Sequence, residues 1–488
     1  FAVSIHQSHW KFLKFLWRGE LYHYKCLSFG ISQSPYCFTR LCKPILAVLR
    51  GTYHLRCSLY IDDMILVSSS KCELNSAVTV ALELLSDLGF TVNMDKSVLE
   101  PTRNIKHLGF MVDSRNLSFS IPREKLELIR FGCTEILAKA NHVKIRTVAK
   151  IIGQLVAYSQ GAEWGRLHYR DLEREKIQAL KSSRGDYDAH MTLSSKALEN
   201  FRFWLSKDAT IPRGFGHIQF EFIMSSDASK LGWGASCGNQ NVGGRWHPDE
   251  AIMSINWLEL YACLLALKAF AALVSNNRVS VKLDNLCAIH YINNQGGVIE
   301  SLNDLSREFW AWCKHMNVKV YASHVPGVEN TAADFCSRHF KDNTEWSLSD
   351  DVFGYITSQW GNPDVDLFAS RLNHKVDQYF SWQPDPGCCG VDAFSVNWSK
   401  FSLAYAFPPF GLVGKVVKKA LCEGANLILV APYWPSQHWF PVVYGAMICE
   451  PLVLPVEQST IKLCHDVSKA HPIWNKLNLT CFRFGAKR

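Results

Sequence analysis

Apolar residues change their spacing from segment to segment in this chain, and each spacing predicts an element. Leu59 and the run Met64-Ile65-Leu66-Val67 flank Tyr60-Ile61-Asp62-Asp63. Aliphatic and β-branched residues on both sides of so short a break predict two buried strands joined by a tight hairpin, with both aspartates at its tip. Farther along, Leu126, Ile129, Ile136 and Leu137, then Val148, Ile151, Ile152 and Leu155, fall at helical spacing. From about residue 218 the pattern alternates. Ile218 to Met224 reads as a strand ending in Ser225-Ser226-Asp227-Ala228-Ser229, and Gly232-Trp233-Gly234-Ala235 opens a second one. Asn256 to Ala262 begins a long apolar helix, Val279 to Asn285 is a strand with Asp284 at its end, and Leu427 to Pro432 is a short buried strand.

Two aspartates held side by side repel each other unless a cation neutralises them, so Asp62 and Asp63 are candidate ligands of divalent metal. An aspartate-rich turn accounts for the tetrapeptide equally well when it is taken alone.

The neighbouring segments settle between these readings by resemblance. Leu27-Ser28-Phe29-Gly30-Ile31-Ser32-Gln33-Ser34-Pro35 with Phe38-Thr39, then Leu88 to Asn93 with Lys96-Ser97, then His107-Leu108-Gly109-Phe110, resemble successive palm motifs of reverse transcriptases. The first lies, in that family, under the template and the incoming nucleotide; its glycine and Ser-Pro allow close backbone approach before a helix begins near Tyr36. The resemblance implies that Phe29, Gly30, Ser34, Pro35 and Lys96 contact nucleic acid, and that Asp62 and Asp63 hold two magnesium or manganese ions for phosphoryl transfer. RNA template, DNA primer and deoxynucleotide triphosphates are the implied partners. The opening Phe1-Ala2-Val3-Ser4-Ile5-His6 resembles the tail of the first palm motif, whose aspartate would precede Phe1. The chain therefore reads as a fragment of a longer polyprotein, not expected to polymerise as it stands.

Asp227, Glu259, Asp284 and Asp334, the last in His324-Val325-Pro326-Gly327-Val328-Glu329-Asn330-Thr331-Ala332-Ala333-Asp334, resemble in order and spacing the four carboxylates of the ribonuclease H fold. Singly, Asp284-Asn285 reads as a turn and Glu259 as a residue near a helix start. Together they imply two magnesium or manganese ions about 4 Å apart on the scissile phosphate of an RNA–DNA hybrid. His324 resembles the loop histidine of these nucleases, and Asn285 and Asn330 are candidate contacts to the hybrid.

Composition sets the frame. With 488 residues, 48% hydrophobic and 20% charged, the chain is long enough for three or four domains. No apolar run approaches membrane-spanning length. Seventeen scattered cysteines without paired CxxC knuckles point to reduced thiols in the cytoplasm or nucleus. The net charge of +8 is uneven: residues 123–184 hold 13 Lys and Arg against 7 Asp and Glu. A basic helical segment directly after a palm fits a thumb that grips phosphates.

The wording of several segments, among them Tyr291-Ile292-Asn293-Asn294-Gln295-Gly296-Gly297, resembles the DIRS group of tyrosine-recombinase retrotransposons. Beyond it, Val365-Asp366-Leu367-Phe368-Ala369-Ser370 with Asn373, and Tyr405-Ala406-Phe407-Pro408-Pro409-Phe410, resemble the phage-type DNA N6-adenine methyltransferase domain of that group. That implies S-adenosylmethionine as a cofactor held by Asp366, Asn373, Pro408, Pro409 and Phe410. Phe407 replaces the acceptor that the motif requires, so methyl transfer is not expected. The reading is thus α/β and α+β multidomain: palm 1–115, thumb and connection 116–215, ribonuclease H 216–340, linker 341–350, methyltransferase-like α/β domain 351–460 and tail 461–488. A non-catalytic nucleic-acid-binding remnant of a retrotransposon is the alternative.

Overall fold

A computed structural model describes residues 3–215, 219–340 and 346–485. Phe1-Ala2, Ile218, the first half of the expected linker and Ala486-Lys487-Arg488 lie outside the described residues. The chain divides into two units: 1–165 with 183–216, and 166–182 with 217–488.

The first unit runs β1 (Lys14–Trp17), β2 (Glu20–His23), α1 (Gln33–Gly51), β3 (Arg56–Tyr60), β4 (Asp63–Val67), α2 (Lys71–Asp87), β5 (Asn104–His107), β6 (Phe110–Asp113), β7 (Ser118–Ser120), α3 (Arg123–Ala138), β8 (Val143–Lys144) and α4 (Ile145–Tyr158). After α5 (Arg170–Ser182), which groups with the second unit, it closes with β9 (His190–Met191), α6 (Ser195–Leu205) and β10 (Arg213–Gly214). The hairpin β3–β4 rests one face on α1 and α2, where Cys57, Met64 and Leu66 pack on Ile45, Leu49 and Ala81. It is part-buried, not buried as its apolar run suggests, because its other face has no layer to cover it. β7 pairs with β6, and β10 joins them in an antiparallel sheet of order β10-β7-β6-β5. The expected boundary at 115 therefore cuts a sheet, and the palm-side strands continue past it.

The second unit begins with α5, a correction to the thumb expected over 116–215. Asp171 on α5 is 2% exposed and accepts from Arg307 at 2.6 Å, Arg174 at 3.1 Å and Asn303 at 3.2 Å. A buried carboxylate needs such partners, and Arg307 and Asn303 are residues of the second unit. The unit continues through β11 (Phe222–Ala228), β12 (Gly232–Cys237), β13 (Gln240–Arg245), α7 (Pro248–Ala251), α8 (Ile255–Ala269), α9 (Ala271–Val274), β14 (Arg278–Leu283), α10 (Leu286–Asn293), α11 (Glu300–His315), β15 (Lys319–His324) and α12 (Thr331–Arg338). β11, β12 and β13 form an antiparallel meander, and β14 and β15 add parallel strands, giving the order β13-β12-β11-β14-β15. Helices α10 and α11 supply the crossover that parallel β14 and β15 require. β11 starts four residues later than the alternation from Ile218 implies and runs through Asp227, because its partner β12 pairs Gly234 with Asp227.

A further α/β layer follows: β16 (Trp346–Leu348), α13 (Asp350–Trp360), β17 (Val365–Asp366), β18 (Phe380–Ser381), β19 (Gly390–Val391), β20 (Ala404–Ala406), α14 (Val413–Glu423), β21 (Leu427–Pro432), α15 (Phe440–Ala446), β22 (Leu452–Val453), β23 (Ile461–Leu463), β24 (Asp466–Ala470), α16 (Trp474–Leu477) and β25 (Leu479–Phe484). Its main sheet has the order β17-β20-β21-β25-β22, the first three strands parallel, while β16, β23 and β24 form a separate sheet and β18 pairs with β19. Two boundaries are corrected here. The described residues 461–485 are no tail, because β25 pairs six residues with β21 and buries Cys481, Phe482 and Phe484; without it the edge of β21 would lie open. Residues 346–350 are no linker, because β16 pairs with β23 and Asp350 opens α13.

Arg371, in the loop after β17, ties this layer to the preceding sheet. It donates to both Glu250 oxygens at 2.7 and 3.1 Å and to the Arg245 carbonyl at 2.9 Å. Both side chains of the ion pair are largely buried. Removing one partner of such a pair strands the other, so Arg371→Ala is expected to destabilise the second unit by about 3 kcal/mol in chemical denaturation. A change within the error of the measurement would show that the pair is not structural.

Candidate metal centres

Three elements of the second unit converge on one point. β11 delivers Asp227 at its C-terminal end, parallel β14 ends one residue before Asp284, and α8 carries Glu259 in its second turn. The Ser254 side chain caps α8 by accepting from the Trp257 N–H, and the helix is apolar on nearly every face, with Leu258, Leu260, Leu264, Leu265 and Leu267 buried. Burying each of these leucines contributes about 2 kcal/mol, which holds Glu259 inside despite its charge. Asp227 and Glu259 are each 5% exposed. One oxygen from each of Asp227, Glu259 and Asp284 lies within 4.8 Å of the other two.

This arrangement is electrostatically unfavourable without a cation. Burial, with Asp227 and Asp284 adding to it, pushes the Glu259 carboxyl up to about 9. Burial also raises the Asp227 carboxyl; Asp284 and Asp334 add to the rise, while the Ser337 hydroxyl and Arg338 oppose it. Glu259 Oε2 is buried without a hydrogen-bond partner. An orphaned carboxylate oxygen among hard oxygen donors fits magnesium or manganese.

The fourth carboxylate stands apart. Asp334 sits in the first turn of α12, and its Oδ1 accepts from Arg338 Nε at 2.8 Å and Nη2 at 2.7 Å. His324, the last residue of β15, is exposed and is the register partner of Leu283, the residue before Asp284. A Cβ on Gly327 would lie 3.1 Å from Asp284 Oδ2, so the small residue lets this loop sit against the site. Asn285 caps α10 by accepting from the Ala288 N–H, and its amide donates to Asn256 Oδ1 at 3.0 Å. Asn330 is corrected from a surface contact: it is 3% exposed and donates to the Ser226 carbonyl at 3.0 Å, tying the start of α12 to β11. Ser337 and Asn256 escaped the sequence reading. Ser337 donates to Asp227 Oδ2 at 2.7 Å, which nothing in its local sequence signals; Asn256, three residues before Glu259, shares its helix face.

In the first unit, β3 and β4 pair Tyr60 with Asp63 across a two-residue turn, and Asp62 and Asp63 are both exposed. Ile61 holds φ +54°, a left-handed conformation that a β-branched residue rarely adopts, so the tip stores strain beside the carboxylates. Helix α1 starts at Gln33, earlier than Tyr36, with Pro35 in the first turn where a missing N–H is tolerated. Phe29 is 86% exposed, Gly30 takes φ +91°, and Lys96 is exposed. Ser34 is corrected: it is buried and its hydroxyl donates to the Ser28 carbonyl at 2.8 Å, closing the turn instead of facing a substrate.

Two of the cofactor residues implied for the C-terminal layer are buried and already hydrogen-bonded. Asp366 is 2% exposed, and its two oxygens accept from the Phe368 and Lys375 N–H groups. Asn373 is buried and accepts from the Ser370 N–H at 2.6 Å. Both residues close their own loop. Pro408 and Pro409 follow β20, and Phe410 packs 5.5 Å from Trp434 and 6.2 Å from His471. Among the described residues no helix is long and apolar enough to cross a membrane, and all seventeen cysteines are free.

Residues 1–112 match the family described as reverse transcriptase (RNA-dependent DNA polymerase). The retrovirus-related Pol polyprotein from transposon 297 of Drosophila melanogaster is 21% identical over 344 residues, 68% of this chain and 30% of that polyprotein. Protein P of duck hepatitis B virus (isolate brown Shanghai duck S5) is 23% identical over 106 residues, 22% of this chain and 14% of that protein. The chain thus spans less than a third of the length of either relative. Among solved structures, the foamy viral protease-reverse transcriptase in complex with double-stranded DNA aligns with 66% of this chain and 54% of its own, at 14% identity and a TM-score of 0.38. Ribonuclease H1 from the halophilic archaeon Halobacterium salinarum NRC-1 aligns with 24% of this chain and 92% of its own, at 18% identity and a TM-score of 0.20.

Glu259 has a measurable signature. Its raised pKa means that the folded, metal-free protein keeps a proton that the unfolded chain releases near the ordinary carboxylate range, so stability falls as pH climbs toward about 9. Magnesium is expected to raise the melting temperature more at about pH 8.5 than at about pH 5.5, and Glu259→Gln to flatten the metal-free pH dependence. Equal magnesium shifts at both pH values, in thermal denaturation of the full chain, would contradict this.

Proposed function

We propose that the second unit is a ribonuclease H that cleaves the RNA strand of RNA–DNA hybrids by two-metal hydrolysis, and that the first carries the palm of an RNA-directed DNA polymerase. The observation that carries the nuclease reading is the trio of Asp227, Glu259 and part-buried Asp284, gathered at the C-terminal ends of the neighbouring central strands β11 and β14 of a five-stranded sheet. Three carboxyl groups so close cannot all ionise without a cation, so a purely structural role is unfavourable, whereas a metal site needs that arrangement. Homology to the reverse transcriptase family over residues 1–112 and to a Pol polyprotein over most of the chain supports a retroelement source. The segments resembling the DIRS group support that narrower origin.

In this reading Asp227, Glu259 and Asp284 hold the metal, and Asp334 joins them from α12. Magnesium or manganese, when bound, would activate the attacking water and stabilise the leaving 3′ oxygen. His324, exposed at the end of β15 and paired in register with Leu283, the residue before Asp284, is the candidate for the proton-handling role. The amide pair of Asn285 and Asn256 fixes the starts of α10 and α8 relative to each other, which orients the elements carrying Asp284 and Glu259. In the palm, Asp62 and Asp63 would hold metal over a primed template and a deoxynucleotide triphosphate, with Phe29 and Lys96 toward nucleic acid.

Incubating the full chain with a labelled RNA–DNA hybrid and magnesium tests the nuclease. Asp284→Asn keeps the shape of the side chain and removes a ligand charge, so cleavage should fall on the order of 100-fold or more while the fold is retained. Asp62→Asn should leave RNA cleavage unchanged, because it lies in the other unit. Robust cleavage by Asp284→Asn, or in the presence of chelator, would overturn the two-metal assignment. A wild-type chain that binds the hybrid but never cuts it would favour a non-catalytic remnant.

A further inference from the structure

The arginine at the end of α12 has a role that the metal reading alone does not supply. Arg338 aims two donors, Nε at 2.8 Å and Nη2 at 2.7 Å, at a single oxygen of Asp334, and Asp334 Oδ2 carries no hydrogen bond. The pair spans one helical turn in the favourable order, acid before base, with the arginine at the helix C-terminus, so α12 forms it without help from other elements. It is also half-exposed, at 53% for Arg338 and 44% for Asp334. Exposed pairs of this kind are weak, so a divalent cation can displace the guanidinium. Asp334 does not complete the group formed by Asp227, Glu259 and Asp284, although both Asp334 and Arg338 act electrostatically on Asp227. On the other side of the helix the position is fixed: Ser337 is fully buried, donates to Asp227 and offers its carbonyl to Ser229 Oγ at 2.5 Å. The backbone of α12 is therefore anchored, and what remains adjustable is the Asp334 side chain.

We propose that Arg338 is an exchangeable counter-cation: it holds Asp334 aside in the metal-free protein and gives it up when the carboxylate cluster fills, so that guanidinium and divalent metal compete for the same carboxylate. This rests on the metal-centre reading above. Arg338 is a positioning residue here, acting through Asp334. Removing it frees Asp334, so magnesium should bind more tightly, by about two- to five-fold, the size of the lost competitor pair.

The test is magnesium titration of the full chain by calorimetry, read without substrate, on wild type, Arg338→Ala, Arg338→Gln, Asp334→Asn and the Asp334→Asn/Arg338→Ala double variant. Arg338→Ala and Arg338→Gln should both tighten binding, and the effect should vanish when Asp334 is already Asn. Unchanged or weaker binding in both arginine variants would overturn the exchange. So would tightening that persists in the Asp334→Asn background, which would mark a general field effect. Asp284→Asn serves as the separate control: if it binds magnesium as wild type does, the metal-centre reading itself fails, whatever Arg338 does.

Discussion

Mutual repulsion among Asp227, Glu259 and Asp284 is the constraint around which the second unit is built. Three carboxyl oxygens within 4.8 Å, two of them on buried residues, cannot all carry charge without pushing their elements apart. Each element is therefore tied by contacts that do not involve the carboxylates. β11 and β14 are parallel partners over four residues. α8 is sunk in the core by its leucines. α12 is clipped to β11 through Asn330 and Ser337, and it lies flush on β12 only because Gly234 has no side chain: a Cβ there would overlap the Ala333 carbonyl. The metal site is preorganised by packing and backbone pairing, which is what lets it hold charge that it does not by itself neutralise.

The same logic explains why the unit is larger than its sheet. α5 reaches α11 through the buried Asp171–Arg307 pair, and the C-terminal layer reaches Glu250 through Arg371. Glu250 lies on α7, shortly before α8, so the tie is made close in sequence to the helix carrying Glu259. Both contacts are charged pairs taken largely out of water. Such pairs are specific in geometry but fragile to single substitutions, since either partner left alone is an uncompensated buried charge. The C-terminal layer thus has a visible structural connection to the sheet that carries Asp227, while its own acidic strand end, Asp366, is hydrogen-bonded within its loop.

Much of this was legible in the sequence because the informative residues sit at element ends, where spacing and residue type both change. The hairpin tip at Asp62-Asp63, the strand end at Asp284 and the apolar helix around Glu259 follow from period and composition. What was not legible depends on long-range partners. Whether Asn330 faces solvent or Ser226 is decided by a strand more than a hundred residues earlier. Ser34 looks like a surface residue before a proline, yet its hydroxyl turns back on Ser28. Asp366 keeps the family pattern while its oxygens are already satisfied by nearby N–H groups, a distinction that no motif encodes. The segment after residue 460 reads as a tail because β23 and β25 find their partners, β16 and β21, far back along the chain and in two different sheets.

If Asp227, Glu259 and Asp284 form a metal site, anomalous diffraction from crystals soaked in manganese shows it directly. The predicted result is a strong anomalous peak coordinated by oxygens of these three residues. Crystals soaked to saturation that show no peak among these three carboxylates, with Glu259 left protonated and hydrogen-bonded to its neighbours, would contradict it.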